Sequence, residues 1–221
     1  SAEEICMMAV QSHDNAVGCK HAQYPFKMSI ERAMASPMEA DPIHIMECAG
    51  IGDGAAAIIL CPSEHTEIEV AASYVSTDYS SLSNREDLLT FNAVKTAANN
   101  AYKMAGINPD DIALVEIHDD YTINGVLSLE SLGFFEKGTG AKKVSIGETK
   151  RNGKIPTNTF GGLKARGNPL GATGVYQIAE VVTQLMNNAG DLQVKDAKIG
   201  MTQNMGGLGS ICAVNILRRV E

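Results

Sequence analysis

The chain has 221 residues, of which 44% are hydrophobic and 20% charged, with a mean hydropathy of −0.06. This is globular material, enough for one large domain or two small ones. A net charge of −8 and a pI near 5.1 argue against nucleic acid, which requires a basic face, and no apolar run approaches the roughly 20 residues of a membrane span.

Residues 5–12 read as the end of an amphipathic helix without a cap, followed by a polar loop and a short helical piece over 29–36 closed by Pro37 and Pro42. Such an irregular opening is what a domain entered midway would show. The run G-D-G-A-A-A-I-I-L-C at 52–61 predicts a buried strand after a tight turn. Residues 67–76 alternate as a second strand, with Ile68, Val70 and Ala72 on one face. Apolar residues at helical spacing over 86–105 end at Gly106, a good C-cap.

A third strand is expected at 112–117, a helix over 121–132 stopped by Gly133, and a polar surface loop over 137–152. A helix over 172–187 ends at Gly190. Strands at 198–203 and 211–217 close the chain around the turn N-M-G-G-L-G-S. Strands alternating with helices predict a layered α/β sheet. The five cysteines (Cys6, Cys19, Cys48, Cys61, Cys212) form no C-x-x-C pair, so reduced thiols in a cytoplasmic protein without a metal site are expected.

Three polar or glycine-rich corners follow strands or open helices. E-I-H-D-D-Y-T at 116–122 places His118, Asp119, Asp120 and Tyr121 at the carboxyl end of a strand, where ligands of α/β sheets sit. Its bland account is a buried histidine and an aspartate capping the next helix. T-N-T-F-G-G-L-K-A-R-G-N-P-L-G-A-T-G at 157–174 holds Lys164, Arg166, Gly167 and Asn168. The two cations either meet phosphates or are solvated, and Asn168 offers an amide to an oxyanion but cannot act as a base. Asn204, Gly206 and Gly207 make the third corner, either a source of backbone N–H groups or a tight β-turn.

The order and spacing of these motifs carry a resemblance. S-P-M-E-A-D-P-I (36–43), G-D-G-A-A-A-I-I-L (52–60), V-E-I-H-D-D-Y-T-I (115–123), L-G-F-F-E-K-G (132–138), N-T-F-G-G-L-K-A-R-G-N-P-L-G-A-T-G (158–174) and T-Q-N-M-G-G-L-G-S (202–210) span nearly the whole chain. It resembles the C-terminal part of the thiolase superfamily, in the branch of sterol-carrier-protein thiolases and archaeal acetoacetyl-CoA thiolases. The resemblance implies a five-layered α/β fold of two similar halves. Residues 1–61 would be the loop region and last strand of the N-terminal half, and 62–221 the C-terminal half. The first part of the N-terminal half, which in the family carries the nucleophilic cysteine, would lie outside this sequence.

The resemblance also implies coenzyme A thioesters as substrates, no metal, a homodimer, and for archaeal-type relatives a small zinc-bearing OB-fold partner that binds acyl-CoA. His118 would belong to an oxyanion hole for a thioester enolate. Two departures bear on the reaction. Where the branch reads H-D-C-F this chain has H-D-D-Y, so Asp120 stands in place of a proton-shuttling cysteine. Where the branch reads G-H-P it has Gly167-Asn168-Pro169, so an amide replaces the histidine that activates the nucleophile.

Three functions are therefore weighed. The first is a thiolase-like acyl-CoA acyltransferase of lipid metabolism with His118, Asp120, Tyr121 and Asn168 at its centre. Lys164, Gly167, Asn204, Gly206 and Gly207 would then contact the substrate. The second is an aldolase performing retro-aldol cleavage of a β-hydroxyacyl-CoA, which needs a base and an enolate sink but no acyl-cysteine. The third is a non-catalytic acyl-CoA-binding or scaffold subunit.

Overall fold

The computed structural model describes residues 1–220. Its centre is a four-stranded sheet in the order β3-β6-β5-β4, built from β3 (Ile68–Thr77), β4 (Leu114–Glu116), β5 (Ile199–Gly206) and β6 (Ile211–Arg219). β3 and β5 flank β6 antiparallel, whereas β4 runs parallel to β5, with Leu114 opposite Gly200 and Glu116 opposite Thr202. On its far side β4 is bordered by residues 155–158, through Val115 N to Pro156 O at 2.9 Å and Asn158 N to Val115 O at 2.9 Å.

Strand alternation sends successive side chains to opposite faces. Val115 and Ile117 join the cluster of α3 (Asn92–Ala105), with Ala97, Ala98 and Ala101 of the helix all buried. Leu114 faces the other way, into the cluster of Val181 and Leu185 from α6 (Thr173–Leu185). Glu116 shares the parity of Leu114, and His118 continues it past the strand end.

The first residues form α1 (Ala2–Ala16), which packs on α4 (Thr122–Ser131) and α5 (Gly140–Ser145). α2 (Ile30–Met34) lies against α1, and a small ribbon, β1 (Met38–Ala40) with β2 (Ile43–His44), follows it.

Several expectations are corrected. The helix begun at residue 5 is longer and is capped, with Ser1 Oγ accepting from Glu4 N at 3.3 Å. The helix expected from residue 86 starts only at Asn92, and Leu88 and Leu89 are exposed, because Asp87 turns the chain by accepting from Leu89 N at 2.9 Å. The loop expected over 137–152 contains α5, whose Val144 is buried against α1 and α4. The largest departure is 52–61, which is no buried strand: it joins no ladder and Ile59 and Leu60 are 92% and 77% exposed. Its apolar character has no counterpart among the described residues.

Candidate active site

At the carboxyl end of β4 the chain turns through Ile117-His118-Asp119-Asp120-Tyr121 before α4 begins. The two aspartates diverge. Asp119 is fully buried and accepts from Leu163 N at 2.7 Å and from Ser12 Oγ at 3.3 Å. Burial pushes its carboxyl up to about 6. Asp120 is at the surface of the site, accepting through Oδ1 from Asn124 Nδ2 at 2.8 Å and from the Tyr121 amide at 3.1 Å. Neither aspartate caps α4 through an amide of its first turn; Glu47 takes the Thr122 hydroxyl there at 2.9 Å.

His118 is largely buried, with 15% of its side chain exposed. Its Nδ1 lies 3.2 Å from Asn204 Nδ2 on β5, and its Nε2 lies 3.8 Å from Asp120 Oδ2, beyond hydrogen-bond range. Burial holds the imidazole below its ordinary pKa; Asp120 opposes the shift and Arg166 adds to it.

The loop before α6 is shaped by one π-turn, Gly162–Arg166, hung on Asp119. Gly162 has φ +57°, and a β-carbon there would stand 2.6 Å from Asp119 Oδ1, so no side chain fits. Gly167 has φ +111°, a backbone conformation that disfavours any side chain there.

Beyond it Asn168 is buried and doubly anchored. Its backbone N donates to Gly50 O at 3.0 Å and its carbonyl accepts from Gly52 N at 3.2 Å. Its Oδ1 accepts from Leu170 N at 3.2 Å and Thr173 Oγ1 at 2.8 Å, which fixes the orientation of the amide. Nδ2 has no hydrogen-bond partner among the described residues, so the amide keeps a donor in reserve.

Segment 48–52 stitches these corners together. Ala49 N donates to Asp120 O at 2.7 Å and Cys48 bridges Tyr121, while two residues on the same segment holds Asn168. α6 supplies a second link, with Thr173 bonded to Asn168 and Gln177 Oε1 accepting from Asn204 Nδ2 at 3.0 Å. Asn168, Asn204, His118 and Asp120 are thus held by one continuous frame. His118 Nε2 and Asn168 Nδ2 have no hydrogen-bond partner among the described residues, and the partly exposed Asp120 carboxylate lies 3.8 Å from His118 Nε2.

The Thiolase C-terminal domain-like family matches residues 75–219. The chain belongs to the thiolase family. Over 98% of its length it is 48% identical to an acetyl-CoA acetyltransferase of Methanothermobacter thermautotrophicus, covering 58% of that protein. Over 95% of its length it is 33% identical to human sterol carrier protein 2, covering 40% of it. Among solved structures it is similar to an Ltp2-ChsH2(DUF35) aldolase, with a TM-score of 0.85 at 19% identity over 99% of this chain and 59% of that one. At that identity the likeness shows the fold alone. The chain spans well under two thirds of these relatives.

Within this thiolase frame the remaining predicted residues take distinct places. Tyr121 is exposed beside Asp120 and Cys48. Lys164 and Arg166 are not solvated: both are buried. The Lys164 ammonium lies 3.4 Å from His13 Nε2 and over the Tyr24 ring, and burial holds its pKa down. Arg166 Nε lies 2.9 Å from Glu180 Oε1, and its Nη1 donates to Gly167 O at 2.9 Å. Gly206 ends the β5 ladder opposite Ile211 and Gly207 opens the hairpin turn, so Asn204 is the side chain this corner contributes.

Sequence reasoning left Thr173, Gln177, Glu116 and Glu180 aside. Glu116 has a weak signal, since its two-residue step to His118 puts both on one strand face. Its carboxyl accepts from Thr159 N and Oγ1, both at 2.8 Å, and burial together with Glu180 pushes it up to about 8. Thr173 and Gln177 had none, because polar residues in a first helical turn are ordinary.

Proposed function

We propose that this chain forms the C-terminal part of a thiolase-like enzyme that makes or breaks a carbon–carbon bond next to a coenzyme A thioester. The observation that carries the reading is the pair of uncommitted donors, the His118 imidazole N–H and Asn168 Nδ2, framed with the Asp120 carboxylate. A thioester enolate concentrates charge on its oxygen, and preorganised donors in a buried site stabilise that charge without reorganising. Asp120 accepts the proton, and Tyr121 closes the site beside it. Lys164 acts from the interior by supporting the loop that carries Gly167 and Asn168; Asn204, Gly206 and Gly207 form the opposite wall.

A second reading is favoured by the orientation of Asn168. Its Oδ1 is consumed by Leu170 and Thr173, and an amide has no basic lone pair with which to activate a thiol. Retro-aldol cleavage of a β-hydroxyacyl-CoA needs no such step. Asp120 takes the hydroxyl proton, the α,β-carbon bond breaks, and its electron pair enters the enolate held by His118 and Asn168. The enolate is then protonated and the carbonyl product leaves.

The exposed run 52–61 is where the remainder of a full-length thiolase would pack, either from the same gene product or from a second chain. Homodimer formation and a small acyl-CoA-binding partner belong to that larger assembly. Deuterium exchange at the α-carbon of an acyl-CoA, measured on the assembled enzyme, tests the core of the proposal. Exchange lost in His118→Ala supports it, and exchange undiminished in that variant refutes it. Supplying a β-ketoacyl-CoA with coenzyme A, or a β-hydroxyacyl-CoA alone, separates the two reactions.

A further inference from the structure

A closed ring of hydrogen bonds runs behind His118. The His118 backbone N donates to Gln203 Oε1 at 2.9 Å. The Gln203 carbonyl accepts from Gln177 Nε2 at 3.0 Å. Gln177 Oε1 accepts from Asn204 Nδ2 at 3.0 Å, and the same Asn204 nitrogen lies 3.2 Å from His118 Nδ1, returning to the residue where the ring began. Gln177 and Gln203 are fully buried or nearly so, at 1% and 0% exposure, so water does not compete for the bond between them.

The direction of every bond is determined by its neighbours. A backbone carbonyl only accepts, so the Gln177 atom facing Gln203 O must be the amide nitrogen, and the atom facing Asn204 must be the oxygen. An oxygen there requires a donor from Asn204, which places Nδ2 and not Oδ1 at both contacts. The two hydrogens of that nitrogen are then used, one toward Gln177 and one toward His118. A ring nitrogen facing an N–H must offer its lone pair. The alternative tautomer would set two N–H groups against each other at 3.2 Å in a partly buried site.

We infer that Gln177 and Asn204 are positioning residues that hold His118 in the tautomer with its proton on Nε2, the nitrogen on the Asp120 side. This rests on the proposed function only for its consequence, which is that His118 reaches a substrate oxygen as a neutral N–H donor. The same arrangement disfavours the imidazolium, whose Nδ1–H would also meet the amide hydrogen. That agrees with the depressed pKa of the ring. Asn204 is thus assigned to the ring behind His118.

The test is direct observation of the tautomer in the full chain, assembled with the rest of the enzyme where that is needed for stability. In protein carrying 15N-labelled histidine, the protonated and bare ring nitrogens of neutral His118 have well separated shifts. A proton on Nε2 is expected, and a proton on Nδ1 would overturn the inference. Asn204→Asp, nearly isosteric, replaces the donor by an acceptor. It should move the proton to Nδ1, raise the His118 pKa and reduce α-carbon exchange by about the hundredfold loss of one oxyanion donor.

Retention of the Nε2 proton in folded Asn204→Asp would also overturn the inference. If that variant does not fold, Gln177→Leu serves. It frees Asn204 to rotate, and mixed tautomers are expected; a single unchanged tautomer would count against the ring. The resonances report on the tautomer whether or not the enzyme turns over, so failure of the functional reading and failure of the ring are told apart.

Discussion

Thr173, the first residue of α6, donates its hydroxyl to Asn168 Oδ1 at 2.8 Å. Together with the Leu170 amide this bond turns a side chain able to accept or donate into one that only donates. Asn168→Asp keeps the acceptor and replaces the reserve nitrogen with a second oxygen. It should lower kcat by about 10²–10³-fold, the effect of losing one oxyanion donor. Asn168→Ser is the control for charge and should also lose most activity. Steady-state rates with the enzyme's acyl-CoA substrate check this, and activity within threefold of the parent in Asn168→Asp would remove Asn168 from the site.

Asp120 is the carboxylate left partly exposed once Asp119 has been drawn inward to Leu163. Asp120→Asn should reduce turnover by about 10²–10⁴-fold, the span of general acid–base contributions, while binding of the CoA ester stays largely intact. The substituted amide still accepts from Asn124 and Tyr121, so the fold is retained. Comparison of kcat with the dissociation constant for an acyl-CoA decides it, and unchanged turnover would eliminate Asp120 as the base.

Glu116 sets a pH dependence of stability. Its folded-state pKa is raised to about 8 from the ordinary 4.5 by burial and by Glu180. The folded state therefore binds the proton more tightly than the unfolded one. The resulting stability is fully present below about pH 4.5 and is lost as pH rises through about 8. Glu116→Gln mimics the protonated acid and keeps the oxygen that Thr159 addresses. Its melting temperature should fall less than the parent's between pH 6 and 9, with about 2–4 °C separating the two for each kcal/mol. Parallel melting curves across that range would show that Glu116 does not carry the proton.

Ile59 and Leu60 project from a segment without a sheet partner. Ile59→Asp should weaken association with the remaining part of the enzyme about 10–100-fold. That range follows from roughly 1.5–3 kcal/mol for burying one such side chain. Association of separately produced pieces, followed by light scattering or titration calorimetry, measures it. An unchanged affinity would move the interface elsewhere.

The strands expected at 67–76 and 211–217, the helical spacing before Gly106, and the apolar strand ending at Glu116 were legible in the sequence. A register shift between Val70 and Ala72 nevertheless leaves Val70 exposed while Ala72 is buried, so the expected common face of Ile68, Val70 and Ala72 is not formed. Local periodicity and a glycine C-cap suffice to specify such elements. The order of the H-D-D-Y, G-N-P and Q-N-M-G-G motifs was equally legible as a thiolase pattern. Segment 52–61 misled because an apolar run does not by itself specify a strand, and among the described residues it joins no ladder and leaves Ile59 and Leu60 exposed.

The site shows the same division. Residue type alone established that Asn168 could not be a base, and the resemblance to the thiolase pattern implied that Asp120 stood where a thiol was expected. Which aspartate turns inward, that Lys164 and Arg166 are interior, and which atoms of Asn204 and His118 donate were decided by contacts between residues dozens of positions apart, whereas Asn168 is oriented locally by Leu170 and Thr173. An amide or an imidazole offers both a donor and an acceptor edge. Only the groups packed around it in three dimensions, here Thr173 for Asn168 and Gln177 for Asn204, select the edge that is used.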